Sequence, residues 1–152
     1  MPKITPFLWF DSEAEEAMNF YLSIFKNGKV LNVNRRNGKV LTVTFELEGQ
    51  QFIALNAGPT FKFSEAISFF VNCETQQEVD DLWEKLSAGG SKDQCGWLKD
   101  KYGLSWQVIP SALMKLLSDP DPQKSEAVMQ AMLKMNKIVI ADLEAAYEGK
   151  AA

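Results

Sequence analysis

The sequence predicts an α+β fold: two copies of a β-α-β-β-β module followed by a C-terminal helical extension. Three observations carry that expectation. Ser12/Glu15 and Thr75/Glu78 repeat a helix capping pattern at the same place in two stretches of the chain. A compact apolar strand precedes each pattern, Ile4 to Phe10 and Ala66 to Asn72. A hairpin of similar build follows each, Val40 to Asn56 around Gly49 and Cys95 to Pro110 around Gly103.

In the first module, Pro6 marks a strand end or edge. Ala14, Ala17, Met18, Tyr21, Ile24 and Phe25 recur at helical spacing and predict a helix over about 12–26, stopped by a left-handed turn at Asn27-Gly28. Asn37-Gly38 between Val30–Arg36 and Val40–Leu47 is a strong hairpin signal, because both residues tolerate positive φ. A Glu48-Gly49-Gln50 turn leads to the last strand, Gln51 to Asn56.

The second module opens with a loop carrying Phe61 and Phe63. After strand 66–72, Val79, Leu82, Trp83 and Leu86 line a helix ending at Gly89-Gly90, and a weak strand follows in 91–94. In the last hairpin Asp100 lies between Lys99 and Lys101, which predicts a solvent-facing carboxylate; Pro110 ends the strand. The modules are thus 1–59 and 60–110 of one domain, 1–110, and 111–152 is the extension. It holds a short helix over Ser111–Leu117, a rigid Asp119-Pro-Asp-Pro122 break, a helix from Ser125 and a last amphipathic segment, Lys137–Glu148. Too small to bury its apolar faces alone, it packs on the same domain or on a dimer partner.

The 152 residues suit one domain with a real core, and 46% hydrophobic with 24% charged residues is the make-up of a globular protein. A net charge of −4 argues against nucleic acid as a partner. The local cluster Lys26, Lys29, Arg35, Arg36 and Lys39 reads as a solvated strand edge. No signal peptide and no apolar run near the ~20 residues needed to span a bilayer is visible. The expectation is a cytoplasmic protein with no membrane partner and with Cys73 and Cys95 as free thiols. Histidine is absent, which removes the commonest acid–base side chain near neutrality and the commonest zinc ligand.

The stretches ITPFLWFDSEAEEAMNFYLSIF (4–25), LTVTFELEGQQFIALNAGP (41–59), EAISFFVNCETQQEVDDLW (65–83), CGWLKDKYGLSWQVIP (95–110) and DPDPQKSEAVMQAMLKMNKI (119–138) resemble the vicinal oxygen chelate superfamily of glyoxalases, bleomycin-resistance proteins and extradiol dioxygenases. Within it they are most similar to the PhnB-like branch, often labelled 3-demethylubiquinone-9 3-methyltransferase-like. The resemblance implies that each module forms half of a cup. In metal-dependent members the first and fourth strands of each module supply the ligands. Carried over, those positions are Thr5, Ala54, Ala66 (or Ser68) and Gln107, which depart from the ligand pattern throughout, so no metal and no other cofactor is expected. No glycine-rich loop joins a strand to a helix, so the methyltransferase label lacks its cofactor cradle.

Strand alternation places Thr5, Phe7, Trp9, Phe52, Ala54 and Asn56 on one expected cup face, and Ala66, Ser68, Phe70, Ser105 and Gln107 on the other. Of these, Thr5, Phe7, Trp9, Phe52, Asn56, Ser68, Phe70 and Gln107 are the candidate ligand-binding residues. Aromatics with neutral hydrogen-bonding groups suit a small apolar or aromatic molecule held without metal by a homodimer. Two alternatives stay open. One is an enzyme, either metal-free through Gln107 and a cysteine or metal-dependent through other ligands. The other is an interaction protein whose cup is filled by its own aromatics.

Overall fold

The computed structural model of the chain describes residues 1–150, so the last two residues of the predicted extension lie outside the described residues. The chain divides into two compact units, Met1–Phe63 and Ser64 onward. Each contains a four-stranded sheet in β-α-β-β-β order.

The first unit runs β1 (Phe7–Phe10), α1 (Ala14–Ile24), β2 (Gly28–Arg36), β3 (Lys39–Leu47) and β4 (Gln50–Asn56). Its sheet order is β1-β4-β3-β2, with β1 parallel to β4 and the other pairs antiparallel. Both hairpin turns are left-handed two-residue turns, Asn37-Gly38 (φ 53° and 77°) and Glu48-Gly49 (φ 48° and 85°). Leu8, Val43, Phe45, Phe52 and Ala54 are buried on the sheet face that α1 covers with Ala14, Ala17, Met18 and Tyr21. Tyr21 stacks on Phe45 at 6.3 Å, and Phe45 on Phe52 at 5.5 Å.

Two local expectations fail here. The Ser12/Glu15 capping box does not form. Glu13 is the N-cap without a side-chain bond, and Glu15 instead pairs with Arg35 at 3.0 Å. The free Ala14 N–H donates to Asn56 Oδ1 on β4 (2.8 Å), so a distant amide does the capping. Asn27-Gly28 is not a left-handed stop either: α1 ends at Phe25 in extended backbone, and Gly28 opens β2. Glycine is required there by close approach, since a Cβ would lie 2.7 Å from a Leu22 methyl and 3.0 Å from the Glu46 carbonyl.

The second unit runs β5 (Ser68–Cys73), α2 (Gln76–Ser87), β6 (Ser91–Lys92), β7 (Trp97–Lys99) and β8 (Ser105–Pro110), in sheet order β5-β8-β7-β6. Ala66 precedes β5, in a turn. Here the Thr75 half of the capping pattern forms as expected: Thr75 Oγ1 accepts the Glu78 N–H (3.2 Å), while the Glu78 carboxylate accepts the N–H of Glu74 (2.8 Å), one residue before the N-cap. Val79, Trp83 and Leu86 of α2 are buried, as are Leu98, Trp106 and Val108 of the sheet.

Asp100 corrects the expectation of a solvated turn. It is 2% exposed. Its Oδ1 accepts the N–H groups of Tyr102 (2.9 Å) and Leu104 (3.1 Å), and its Oδ2 accepts the Trp106 indole N–H (2.9 Å). The flanking lysines hid a carboxylate that folds the turn inward.

The extension forms α3 (Ser111–Leu117), α4 (Pro122–Leu133) and α5 (Ile140–Tyr147). Asp121 caps α4 by accepting the Gln123 N–H, and Pro122 occupies a first-turn position where its missing N–H costs nothing. Ile109, Leu113, Val128, Ile138 and Leu143 form one buried cluster. The backbone N–H groups of Cys95 and Gly96 donate to the carbonyls of Met135 and Asn136, both at 2.8 Å. The Gln76 side chain donates to the Ile138 carbonyl and accepts the Ile140 N–H.

Candidate functional site: the sheet faces opposite the helices

Each sheet has a face turned away from its helix, and cross-strand register names its residues. In the first unit, Phe7, Ile53 and Thr44 form one row, and Trp9, Leu55 and Thr42 the next. In the second, Ser68, Ser105 and Lys99 form one row, and Phe70, Gln107 and Trp97 the next. Phe7 and Phe70 hold equivalent positions in the two modules. They remain 57% and 49% exposed.

The register corrects half of the expected first face. Thr5, Phe7 and Trp9 do not share it with Phe52, Ala54 and Asn56, which point to the α1 side. Counting the turn as three residues, 48–50, shifted the strand by one. The observed turn is Glu48-Gly49, which sets Leu47 opposite Gln50 and flips every later side chain. Gln51, Ile53 and Leu55 therefore belong on the open face, and Ile53 is the counterpart of Gln107. Asn56 is occupied structurally, accepting from Ala14 and donating to the Val40 carbonyl (3.2 Å). Phe52 is core.

In the second unit the structure places Ser68, Phe70, Ser105 and Gln107 on one face, and Gln107 Nε2 donates to Ser68 Oγ at 3.0 Å. Trp97 joins them; the pairing of β7 with β8 was the overlooked signal. Lys99 is held by Glu65, which raises the lysine pKa and lowers that of the carboxyl, chiefly through their mutual hydrogen bond. In the first unit, Trp9 donates its indole N–H to the Gly58 carbonyl (2.9 Å) and meets Phe61 edge-on at 4.9 Å, pinning the loop after β4.

A separate open groove of about 810 Å³ lies between the start of α1 and the β2–β3 hairpin. Asp11, Glu15, Glu16, Arg36, Lys39 and Asn56 are among its lining residues, so it is charged rather than aromatic.

The residues at the expected metal-ligand positions do not suit a divalent metal ion. Thr5, Ile53 (in place of the expected Ala54), Ser68 and Gln107 offer neutral oxygens and a hydrocarbon, with no anionic or imidazole donor. Among the described residues no group of three or more His, Cys, Asp or Glu side chains is placed to hold a metal ion. An adenosylmethionine cradle does not fit either: the β1–α1 junction Asp11-Ser12-Glu13 lacks glycine and surrounds the helix start with carboxylates.

The cysteines are both free. Cys73 is fully buried before α2, and burial, reinforced by Glu78 and Glu74, pushes its thiol up to about 12; the helix start does not make it a thiolate. Among the described residues no helix is long and apolar enough to cross a membrane.

Residues 2–109 match the family described as 3-demethylubiquinone-9 3-methyltransferase. The PhnB protein from Bacillus cereus is 37% identical over 72% of this chain and 100% of its own, with a TM-score of 0.69. A protein from Pseudomonas aeruginosa shares the fold at 18% identity and TM-score 0.61, over 72% of this chain and 98% of its own. So does the fosfomycin resistance protein FosX from Listeria monocytogenes, solved with Mn(II) and sulfate, at 14% identity and TM-score 0.51 over 70% and 88%. Comparison with curated proteins gives no match.

Proposed function

The chain belongs to the 3-demethylubiquinone-9 3-methyltransferase family, the PhnB-like branch of the glyoxalase/bleomycin resistance superfamily, and from that premise we propose that it binds a small apolar or aromatic molecule without a metal. One observation carries the reading: the equivalent residues Phe7 and Phe70 stand largely exposed on the open sheet faces, beside neutral hydrogen-bonding groups. Exposed aromatics flanked by Thr, Ser and Gln suit a planar guest whose polar atoms need orientation but no counter-charge. Thr5, Phe7 and Trp9 on the first sheet, with Ile53 and Leu55 added by register, are one set of proposed contacts, and Ser68, Phe70 and Gln107 on the second, with Trp97 added, are another. The protein works as a cytoplasmic homodimer in this reading, supported by its apolar exposed side chains and two free thiols.

Native mass spectrometry of the purified protein, with metal analysis of the same sample, gives the test. A metal-free dimer carrying an organic adduct is the expected result. Aromatic ligands should then bind Phe7→Ala and Phe70→Ala about five- to tenfold more weakly, the worth of one aromatic contact. Stoichiometric divalent metal, or unchanged affinity in both variants, refutes the proposal.

A further inference from the structure

Among the described residues, two buried side-chain hydroxyls lack a hydrogen-bond partner, Thr5 Oγ1 and Ser105 Oγ. They occur in matching rows of the two modules. Continuing the β1–β4 register two residues back from Phe7 sets Thr5 beside Gln51, which pairs with Glu46. The equivalent row of the second sheet is Ser68, Ser105 and Lys99. An orphaned hydroxyl is costly and rare in a folded protein, and two at the same level of a duplicated unit are not independent accidents.

The second row shows what such a hydroxyl would take. Ser105 is 1% exposed, and strand alternation turns its side chain to the sheet face opposite α2, because its neighbours Leu104 and Trp106 are core residues. Its row partner Ser68 accepts from Gln107, one row further along the same face. Phe70 and Trp97 flank Gln107 on the two adjacent strands. Lys99 is already neutralised by Glu65, so the row offers no free cation to a carboxylate or phosphate. A flat ring lying along Phe70 and Trp97 would bring a substituent to the Ser68–Ser105 row.

Resting on the binding reading above, we infer that the ligand is an aromatic molecule bearing a neutral hydroxyl or carbonyl oxygen, and that Ser105 Oγ is the group held unpaired for that oxygen. On binding, the Gln107 amide exchanges its bond to Ser68 for one to the ligand. The oxygen enters between those two side chains and reaches Ser105. A serine hydroxyl both donates and accepts, so either substituent satisfies it.

The test compares 2-naphthol with naphthalene and 2-naphthoate at neutral pH by calorimetry, on the wild type and on Ser105→Ala. The expected result is a preference of about tenfold for 2-naphthol over both comparators, the scale of one buried hydrogen bond. Ser105→Ala, with an unchanged or higher Tm, should cut the preference over naphthalene to within about twofold. Equal binding of naphthol and naphthalene, or a preference that survives Ser105→Ala, overturns the inference while the binding reading stands. Tighter binding of naphthoate also overturns it. No binding of any of the three overturns both.

Discussion

Asp100 offers the sharpest test of how the second sheet is held. Its carboxylate accepts two backbone N–H groups and the Trp106 indole N–H, and both Trp106 and Leu104 are 3% exposed. Asp100→Ala leaves those two donors buried without an acceptor. Each orphan costs about 1–3 kcal/mol, and the partly exposed Tyr102 N–H adds less, so the total is about 3–6 kcal/mol. Against a typical stability of about 5–15 kcal/mol, such a variant is marginal or unfolded at room temperature. Asp100→Asn keeps an acceptor for the backbone pair but sets an NH₂ group against the indole N–H; we expect a loss of about 2 kcal/mol. Urea denaturation followed by circular dichroism measures both. A cycle with Trp106→Phe isolates the indole bond, with an expected coupling of about 1–3 kcal/mol. If both variants unfold within about 0.5 kcal/mol of wild type, the buried carboxylate does not organise this turn.

Other outcomes follow from single residues. Thr75→Ala should cost about 1 kcal/mol by losing the α2 cap, whereas Ser12→Ala should change stability by less than about 0.5 kcal/mol because its hydroxyl caps nothing; thermal melts decide. Cys73 should resist alkylation in the native protein while half-buried Cys95 reacts, as read by peptide mass mapping. The folded Cys73 pKa, raised from 9.0 to about 12, means the native state holds a proton that the unfolded chain releases across that interval. Stability is therefore full below about pH 9 and falls as pH rises towards 12, and Cys73→Val should flatten that slope in urea titrations.

Element identity was largely legible because the chain punctuates itself: Asn37-Gly38, Gly49, Gly89-Gly90, Gly103 and Asp119-Pro-Asp-Pro122 all fall at observed boundaries. Which face a residue occupies was less legible, since a strand's parity hangs on one residue of turn length. The Gly103 hairpin put Gln107 on the open face, whereas one extra residue at Gly49 misassigned Phe52, Ala54 and Asn56. Asp100 was hidden for another reason. Its neighbours in sequence are lysines, but its partners are a tryptophan six residues on and the N–H groups of its own turn. Asp at the start of a Gly-containing turn, with Trp106 beyond it, was the available signal. The Ala14–Asn56 cap had none, because its donor and acceptor meet only after the sheet has formed.

The order in which the ribosome releases the chain separates the two units. Every strand and helix of the first lies within Met1–Phe63, so its hydrogen-bonding partners are all present once Phe63 emerges. The second cannot close so early: Ile109 packs with Ile138 and Leu143, and the Cys95 and Gly96 amides take their acceptors from Met135 and Asn136. At about 5–20 residues per second, some 2–7 s pass between the synthesis of Ile109 and that of Leu143. Throughout that interval the end of β8 is apolar and unsealed. Any chaperone acting on this protein during synthesis meets the second sheet, and the first has already finished.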